Sequence, residues 1–203
     1  KTPLVSILGF TKLLRKNILT GEEREEYLGI IEEEMKRLYT MANGILNLTK
    51  VENQSILTNV TEYNLSEQIR LTVLLLESKW TARNINMNID FGEYTINANE
   101  EMMKQVWINL LDNAIKFSPE GEEISIRISK KNEHIYVSIS GKGPHIEDEE
   151  INKIFRKFYQ SDSSHSTEGT GIGLALVSRI IELHKGRIEV NSDKNINTFT
   201  VIL

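Results

Sequence analysis

Two asparagines and a lysine stand at Asn109, Asn113 and Lys116 in the stretch NLLDNAIK. Steps of four and three residues place all three on one face of a helix, and Leu110, Leu111, Ala114 and Ile115 supply its apolar remainder. Amide oxygens suit a hard cation such as Mg2+, which keeps most of its waters and is readily shared with phosphate oxygens. A lysine beside them would neutralise those phosphates. The plain alternative is a polar helix face turned to water, and this stretch alone leaves both open.

A second stretch, EGTGIGLALV, alternates Gly169, Gly171 and Gly173 immediately before a helix. Glycines there let backbone N–H groups approach a ligand, and a helix N-terminus favours anions. Glycines also serve ordinary turns, and no Gly-Lys-Ser/Thr follows to make this a P-loop. The preceding SDSSHSTE is short-chained and polar, the composition of a mobile lid. A third stretch, SISGKGPHIEDEE, carries two glycines and a proline after an alternating apolar run. It reads as a turn that approaches a ligand, yet Gly141 stands where a ligand-reading acid is expected and His145 where a further glycine is. His134 flanks a strand, His165 lies in the lid stretch, and His184 ends a helix where a cation suits the dipole. None of these has metal-ligand spacing, and structural roles are the expectation for them.

The elements that must position these residues follow from pattern. The opening reads as two helices: Leu4, Ile7, Leu8 and Leu14 form a helical stripe ending near Asn17, and Thr20 with Glu23 forms a capping box. In the second helix Leu28, Ile31, Met35, Leu38, Ala42 and Ile45 alternate steps of three and four, the seam of a bundle. Two helices with so narrow a seam bury little alone, so pairing with a second copy into four helices is expected, with packing on another domain as the alternative. A polar linker from Val51 to Tyr63, with at most one short strand, separates residues 1–55 from residues 56–203.

Beyond it the pattern is mixed. NLSEQIRLTVLLLESKW, EEMMKQVWINLLDNAIKF, DEEINKIFRKFY and GLALVSRIIELHK read as helices, the last closed by Gly186. INMNIDF, EISIRIS, HIYVSIS, RIEVNS and TFTVIL read as strands. Hairpin-paired strands with helices gathered on one face make an α+β arrangement, a helical hairpin followed by a two-layer α/β sandwich.

The chain has 203 residues, 39% hydrophobic and 26% charged, which fits one generous domain or two modest ones. A net charge of -5 argues against nucleic acid as the main partner. With no cysteine, disulfides and thiolate metal sites are excluded. KTPLVSILGF reads as the interior of a longer chain, and no apolar run reaches the length that spans a bilayer.

KTPLVSILGF, NLLDNAIKFSPEG, IFRKFYQSDSS and GTGIGLALVSRIIELHKGRIEV, in that order and spacing, resemble the cytoplasmic core of a two-component sensor histidine kinase from end to end. The resemblance implies a dimerising hairpin at 1–55 and a catalytic ATP-binding domain at 56–203. It implies that Asn109 and Asn113 serve Mg2+ and phosphate, Lys116 the phosphates, and Phe117 the nucleotide. Phe155 and Phe158, with Tyr159, match the aromatic motif that anchors the lid. Gly169, Gly171 and Gly173 match the phosphate cradle, with Thr170, Ile172 and Leu174 among them, while Gly141, Gly143 and Ile146 match the base loop. Thr198 matches a threonine at the adenine end. The implied reaction passes the ATP γ-phosphate to a histidine nitrogen and then to an aspartate of a response regulator.

Two departures qualify this. The accepting histidine is expected three residues before Lys1, outside the chain, although Thr2 matches a position that many relatives use to dephosphorylate the regulator; its other reading is a small residue before Pro3 at a helix bend. Gly141 replaces the usual aspartate that accepts from the adenine amino group, so weakened nucleotide binding with poorer adenine selectivity is expected. A response-regulator docking module with an impaired pocket is the rival reading. A serine kinase of the same ATP-binding fold is a third, opposed by the hairpin. Membrane attachment is implied only for regions outside the chain.

Overall fold

The structure, a computed structural model, describes residues 2–16, 19–160 and 169–203, without the side chain of Thr2. The chain divides into two compact units, Lys1–Asn47 and Leu48–Leu203.

In the first unit, α1 (Thr2–Leu14) and α2 (Gly21–Glu52) form the hairpin. The capping box is realised: the Glu23 N–H donates to Thr20 Oγ1 at 3.2 Å, and the Thr20 N–H donates back to Glu23 Oε2 at 2.8 Å. Phe10 and Tyr27 meet with ring centroids 5.1 Å apart. Elsewhere along the seam Ile7, Ile31 and Leu38 are half-buried, while Leu4, Leu8, Leu28, Met35 and Ile45 are all at least 40% exposed. The expected end of the first helix near Asn17 lies outside the described residues.

The second unit takes in the last turn of α2, where Leu48 and Val51 are buried. Its remaining elements are β1 (Thr61–Asn64), α3 (Leu65–Leu75), α4 (Glu77–Thr81), β2 (Asn86–Asp90), β3 (Thr95–Ala98), α5 (Glu100–Phe117), β4 (Glu123–Lys131), β5 (His134–Lys142), α6 (Asp148–Ile151), α7 (Gly173–Leu183), β6 (Arg187–Asp193) and β7 (Ile196–Ile202). A five-stranded sheet runs β2-β4-β5-β7-β6, and β1 and β3 form a separate antiparallel ribbon. Ile124, Ile126 and Ile128 of β4 and Val137 and Ile139 of β5 alternate onto the buried face. The helices α3, α5 and α7 cover that face, with Trp107, Val106, Leu111, Val177 and Ile180 at the centre of the core.

Four sequence expectations are corrected. β2 joins β4 in parallel, not through a hairpin, with α5 in the crossover. The helix expected across residues 64–80 breaks at Leu76, because the Trp80 indole N–H donates to the Val73 carbonyl that a continued helix would give to residue 77. The helix expected over DEEINKIFRKFY is only α6, and the chain then runs through turns to Phe158 at φ 62°. The last long helix ends in a Schellman turn whose left-handed residue is Lys185, at φ 59°. Gly186 donates to Ile181 O in that turn and is needed for proximity, since a Cβ there would lie 2.5 Å from Ile202 O. The strand β3 had no sequence expectation.

Candidate functional site

Helix α5 starts firmly. Its N-cap Asn99 accepts from the Met102 N–H at 2.9 Å and donates through Nδ2 to Thr58 O. The Asn99 N–H donates to His184 Nε2 at 3.1 Å, which joins the start of α5 to the end of α7. The other His184 nitrogen lies 2.7 Å from Ile180 O, so the imidazole is neutral with its proton on Nδ1. Burial pushes its pKa below the ordinary histidine value, partly offset by the Ile180 bond. The expectation of a cation at this helix end is thereby corrected: the ring serves as an acceptor.

The end of α5 is held by Arg83, which the sequence reading missed. Its guanidinium donates to Lys116 O and Ser118 O, each at 2.7 Å, capping two carbonyls at once.

Between these anchors, Asn109 donates through Nδ2 to Gln105 O at 2.7 Å, which commits Oδ1 outward. A Cβ on Gly173 would come within 2.6 Å of that oxygen, and one on Gly169 within 2.7 Å of Lys116 Nζ. The amide, the lysine and the glycine run therefore converge. Asn113, half-buried, lies one turn beyond Asn109 on α5. Lys116 Nζ also sits 4.6 Å from the Phe117 ring centroid. Helix α7 begins without a side-chain cap among the described residues, its N-cap position being Ile172, whose side chain offers its first N–H groups no acceptor. These groups fit a polyphosphate with Mg2+: amide oxygens for the cation, an ammonium and helix N–H groups for the anion.

Around the lid stretch two clamps are in place. The Phe158 N–H donates to Gly171 O at 2.8 Å, and Gln160 Nε2 donates to Gly169 O at 2.5 Å. Gly171 adopts φ 66°, and a Cβ there would lie 2.7 Å from the Phe158 carbonyl carbon, so only glycine fits. Tyr159 Oη donates to Glu150 Oε1 at 2.6 Å. Thr170 and Leu174 flank this turn half-buried, and Ile172 is buried. The lid residues and His165 lie outside the described residues.

The third stretch forms the end of β5. Gly141 pairs with Ile124 of β4 and Asn197 of β7. A Cβ on Gly141 would lie 2.9 Å from Ser118 Oγ and 3.3 Å from Ile124 Cγ1, so its free side faces the helix layer. Gly143 donates to Asn195 O at 2.8 Å, and a Cβ there would lie 3.0 Å from Asn197 Nδ2. The Ile146 N–H donates to Ser192 Oγ at 3.0 Å, and that hydroxyl is also hydrogen-bonded to His145 Nδ1 at 2.8 Å. His145 is thus engaged by β6.

Thr198 lies on the other face of the sheet. Its hydroxyl pairs with Ser140 at 2.9 Å, on the face opposite Gly141 and Ile139. The residue on the helix side is Asn197, one position earlier. Adjacent strand positions point to opposite faces, so the two residues cannot serve the same side of the sheet.

Residues 98–203 match the family model described as histidine kinase-, DNA gyrase B- and HSP90-like ATPase, and residues 1–54 match the His Kinase A (phospho-acceptor) domain. The chain belongs to the two-component sensor histidine kinases. It is 31% identical over 202 residues to the heme sensor protein HssS of Staphylococcus saprophyticus, covering 99% of this chain and 43% of that protein. It is 27% identical over 205 residues to the sensor histidine kinase CusS of Escherichia coli O6:H1, covering 100% of this chain and 43% of that one. Among solved structures, the histidine kinase ThkA in complex with the response regulator TrrA aligns with a TM-score of 0.83 at 29% identity, over 100% of this chain and 57% of that chain. The chain therefore spans about two fifths of the length of those two sensor proteins. Like these kinases, it has a helical hairpin followed by an α/β sandwich. No helix among the described residues is long and apolar enough to cross a membrane.

Proposed function

We propose that the chain is the kinase core of a sensor protein, with residues 1–55 as the dimerisation hairpin and 56–203 as the ATP-binding domain. The observation that carries this is the convergence of Asn109 Oδ1 and Lys116 Nζ on the Gly169–Gly173 run ahead of an uncapped helix. ATP is the phosphoryl donor and Mg2+ its counterion, held by Asn109 and Asn113 through their amide oxygens. A histidine nitrogen attacks the γ-phosphorus, the bond to the β-phosphate bridging oxygen breaks, and ADP leaves. The phosphoryl group then passes to an aspartate of a response regulator. Such transfer asks mainly for positioning and charge neutralisation, which amides, one lysine and helix N–H groups supply.

The exposed seam of Leu4, Leu8, Leu28, Met35 and Ile45 supports a homodimer closed into four helices. The regulator class is supported by the ThkA complex. The acceptor histidine is placed three residues before Lys1, and Thr2 assists removal of phosphate from the regulator. Attachment to a membrane, where present, is through other regions of the protein, with this core in the cytoplasm. Phe117, Phe158, Gly141, Gly143 and Ile146 border the base, and the loss of an acid at 141 weakens ATP binding without abolishing it.

Calorimetric titration with ATP and ADP, with and without Mg2+, tests this reading. Saturable ATP binding that Mg2+ strengthens and Lys116→Ala weakens by roughly tenfold or more supports it. No binding at millimolar ATP overturns it in favour of a docking module.

A further inference from the structure

Two buried oxygens beside the Gly141 loop, Ser118 Oγ and Asn197 Oδ1, have no hydrogen-bond partner among the described residues. Ser118 is 1% exposed. Folded proteins seldom leave such atoms unmatched, because each has given up its bond to water for nothing.

Both atoms belong to residues that border Gly141. Ser118 Oγ lies 2.9 Å from the Cβ position of that glycine, and Asn197 is its cross-strand partner on β7. Both residues are also anchored through other groups. Asn197 Nδ2 donates to Pro144 O at 2.9 Å, which fixes Oδ1 as the unspent end of the amide. The Ser118 N–H donates to Ala114 O at 3.0 Å, and its carbonyl accepts from Arg83 at 2.7 Å. A side chain at 141 would crowd the serine hydroxyl; glycine leaves it room.

We propose that Ser118 and Asn197 read the base edge of a purine nucleotide in this chain, in place of an acid at 141. The assignment rests on the nucleotide reading above. Its chemistry differs from that of a carboxylate, which only accepts. Asn197 Oδ1 accepts, while the Ser118 hydroxyl donates or accepts. Adenine presents an amino donor beside a ring-nitrogen acceptor; guanine presents a carbonyl acceptor beside a ring N–H donor. The pair satisfies either edge by exchanging which group each residue meets, directly or through one water. The site is therefore a purine site that discriminates poorly between adenine and guanine.

The test is calorimetry of the 203-residue chain with ATP, GTP and inorganic tripolyphosphate in Mg2+, alongside Ser118→Ala, Asn197→Ala and Asn197→Asp. The unsubstituted chain is expected to bind ATP and GTP within about tenfold of each other. Ser118→Ala and Asn197→Ala each weaken both nucleotides roughly three- to tenfold and leave tripolyphosphate unchanged. Asn197→Asp keeps an acceptor but gives up the bond to Pro144, so a base reader retains ATP affinity there whereas a mere loop anchor loses it. Unchanged ATP affinity in both alanine variants, with tripolyphosphate still bound, overturns this assignment and leaves the nucleotide reading standing. Failure of all three ligands to bind the unsubstituted chain overturns the nucleotide reading and this assignment with it.

Discussion

At the scale of single residues, several glycines decide what this site can accept. Gly173→Ala would drive a Cβ to 2.6 Å from Asn109 Oδ1, the oxygen assigned to the cation. We expect the Mg2+ enhancement of ATP binding to be lost in that variant while the melting temperature changes little, checked by titration with and without the metal. Gly141→Asp acts in the opposite direction. It supplies a charged acceptor at the cost of displacing the Ser118 hydroxyl, and ATP affinity should rise roughly tenfold with a matching gain over GTP. Asn109, Asn113, Lys116 and the glycine run were legible in the sequence because helical spacing and glycine alternation are local signals. Ser118 and Asn197 were not, because an unspent hydrogen bond is a property of packing. The face that Thr198 occupies was not legible either: it depends on register with β5, which no residue within β7 declares.

At the scale of elements, α5 behaves as a beam fixed at both ends. Arg83 holds the C-terminal end through two partly buried, charge-assisted bonds. Arg83→Ala should therefore destabilise the second unit by roughly 2–4 kcal/mol, read from urea unfolding, with lysine recovering only part because it lacks the planar fork. The N-terminal end depends on neutral His184. Its folded pKa is depressed, so the unfolded chain takes up the proton first. The stabilisation is complete above the ordinary histidine value of about 6.5 and is lost as pH falls through the lower folded value. Protonation puts a second donor against the Asn99 N–H. Thermal unfolding across that window should show the loss, and His184→Gln should flatten it. Most of these elements could be read from periodicity. The break at Leu76 could not, since it arises from an indole reaching back seven residues.

At the scale of the molecule, the two compact units solve different problems. The second unit has a closed core, with Trp107, Ile126, Ile139 and Val177 all 2% exposed or less. The first leaves its seam open, with Met35 56% exposed and Leu28 45%. Apolar side chains so placed gain stability only when another surface covers them. Leu28→Glu combined with Met35→Glu should convert a dimer to a monomer in sedimentation equilibrium. ATP affinity, set within the second unit, should not change. The separation into hairpin and sandwich was legible from the change of period along the chain; the transfer of Leu48 and Val51 to the second unit was not, because α2 continues unbroken through both.

The paired clamps at Phe158–Gly171 and Gln160–Gly169 have a thermodynamic corollary. Each ties a residue of the aromatic turn directly to the glycine run, so Gly169 and Gly171 are held by hydrogen bonds to their own carbonyls. At roughly 0.5–1.5 kcal/mol net for each bond, the two together outweigh the backbone freedom of about 0.5–1 kcal/mol that a glycine gives up on folding.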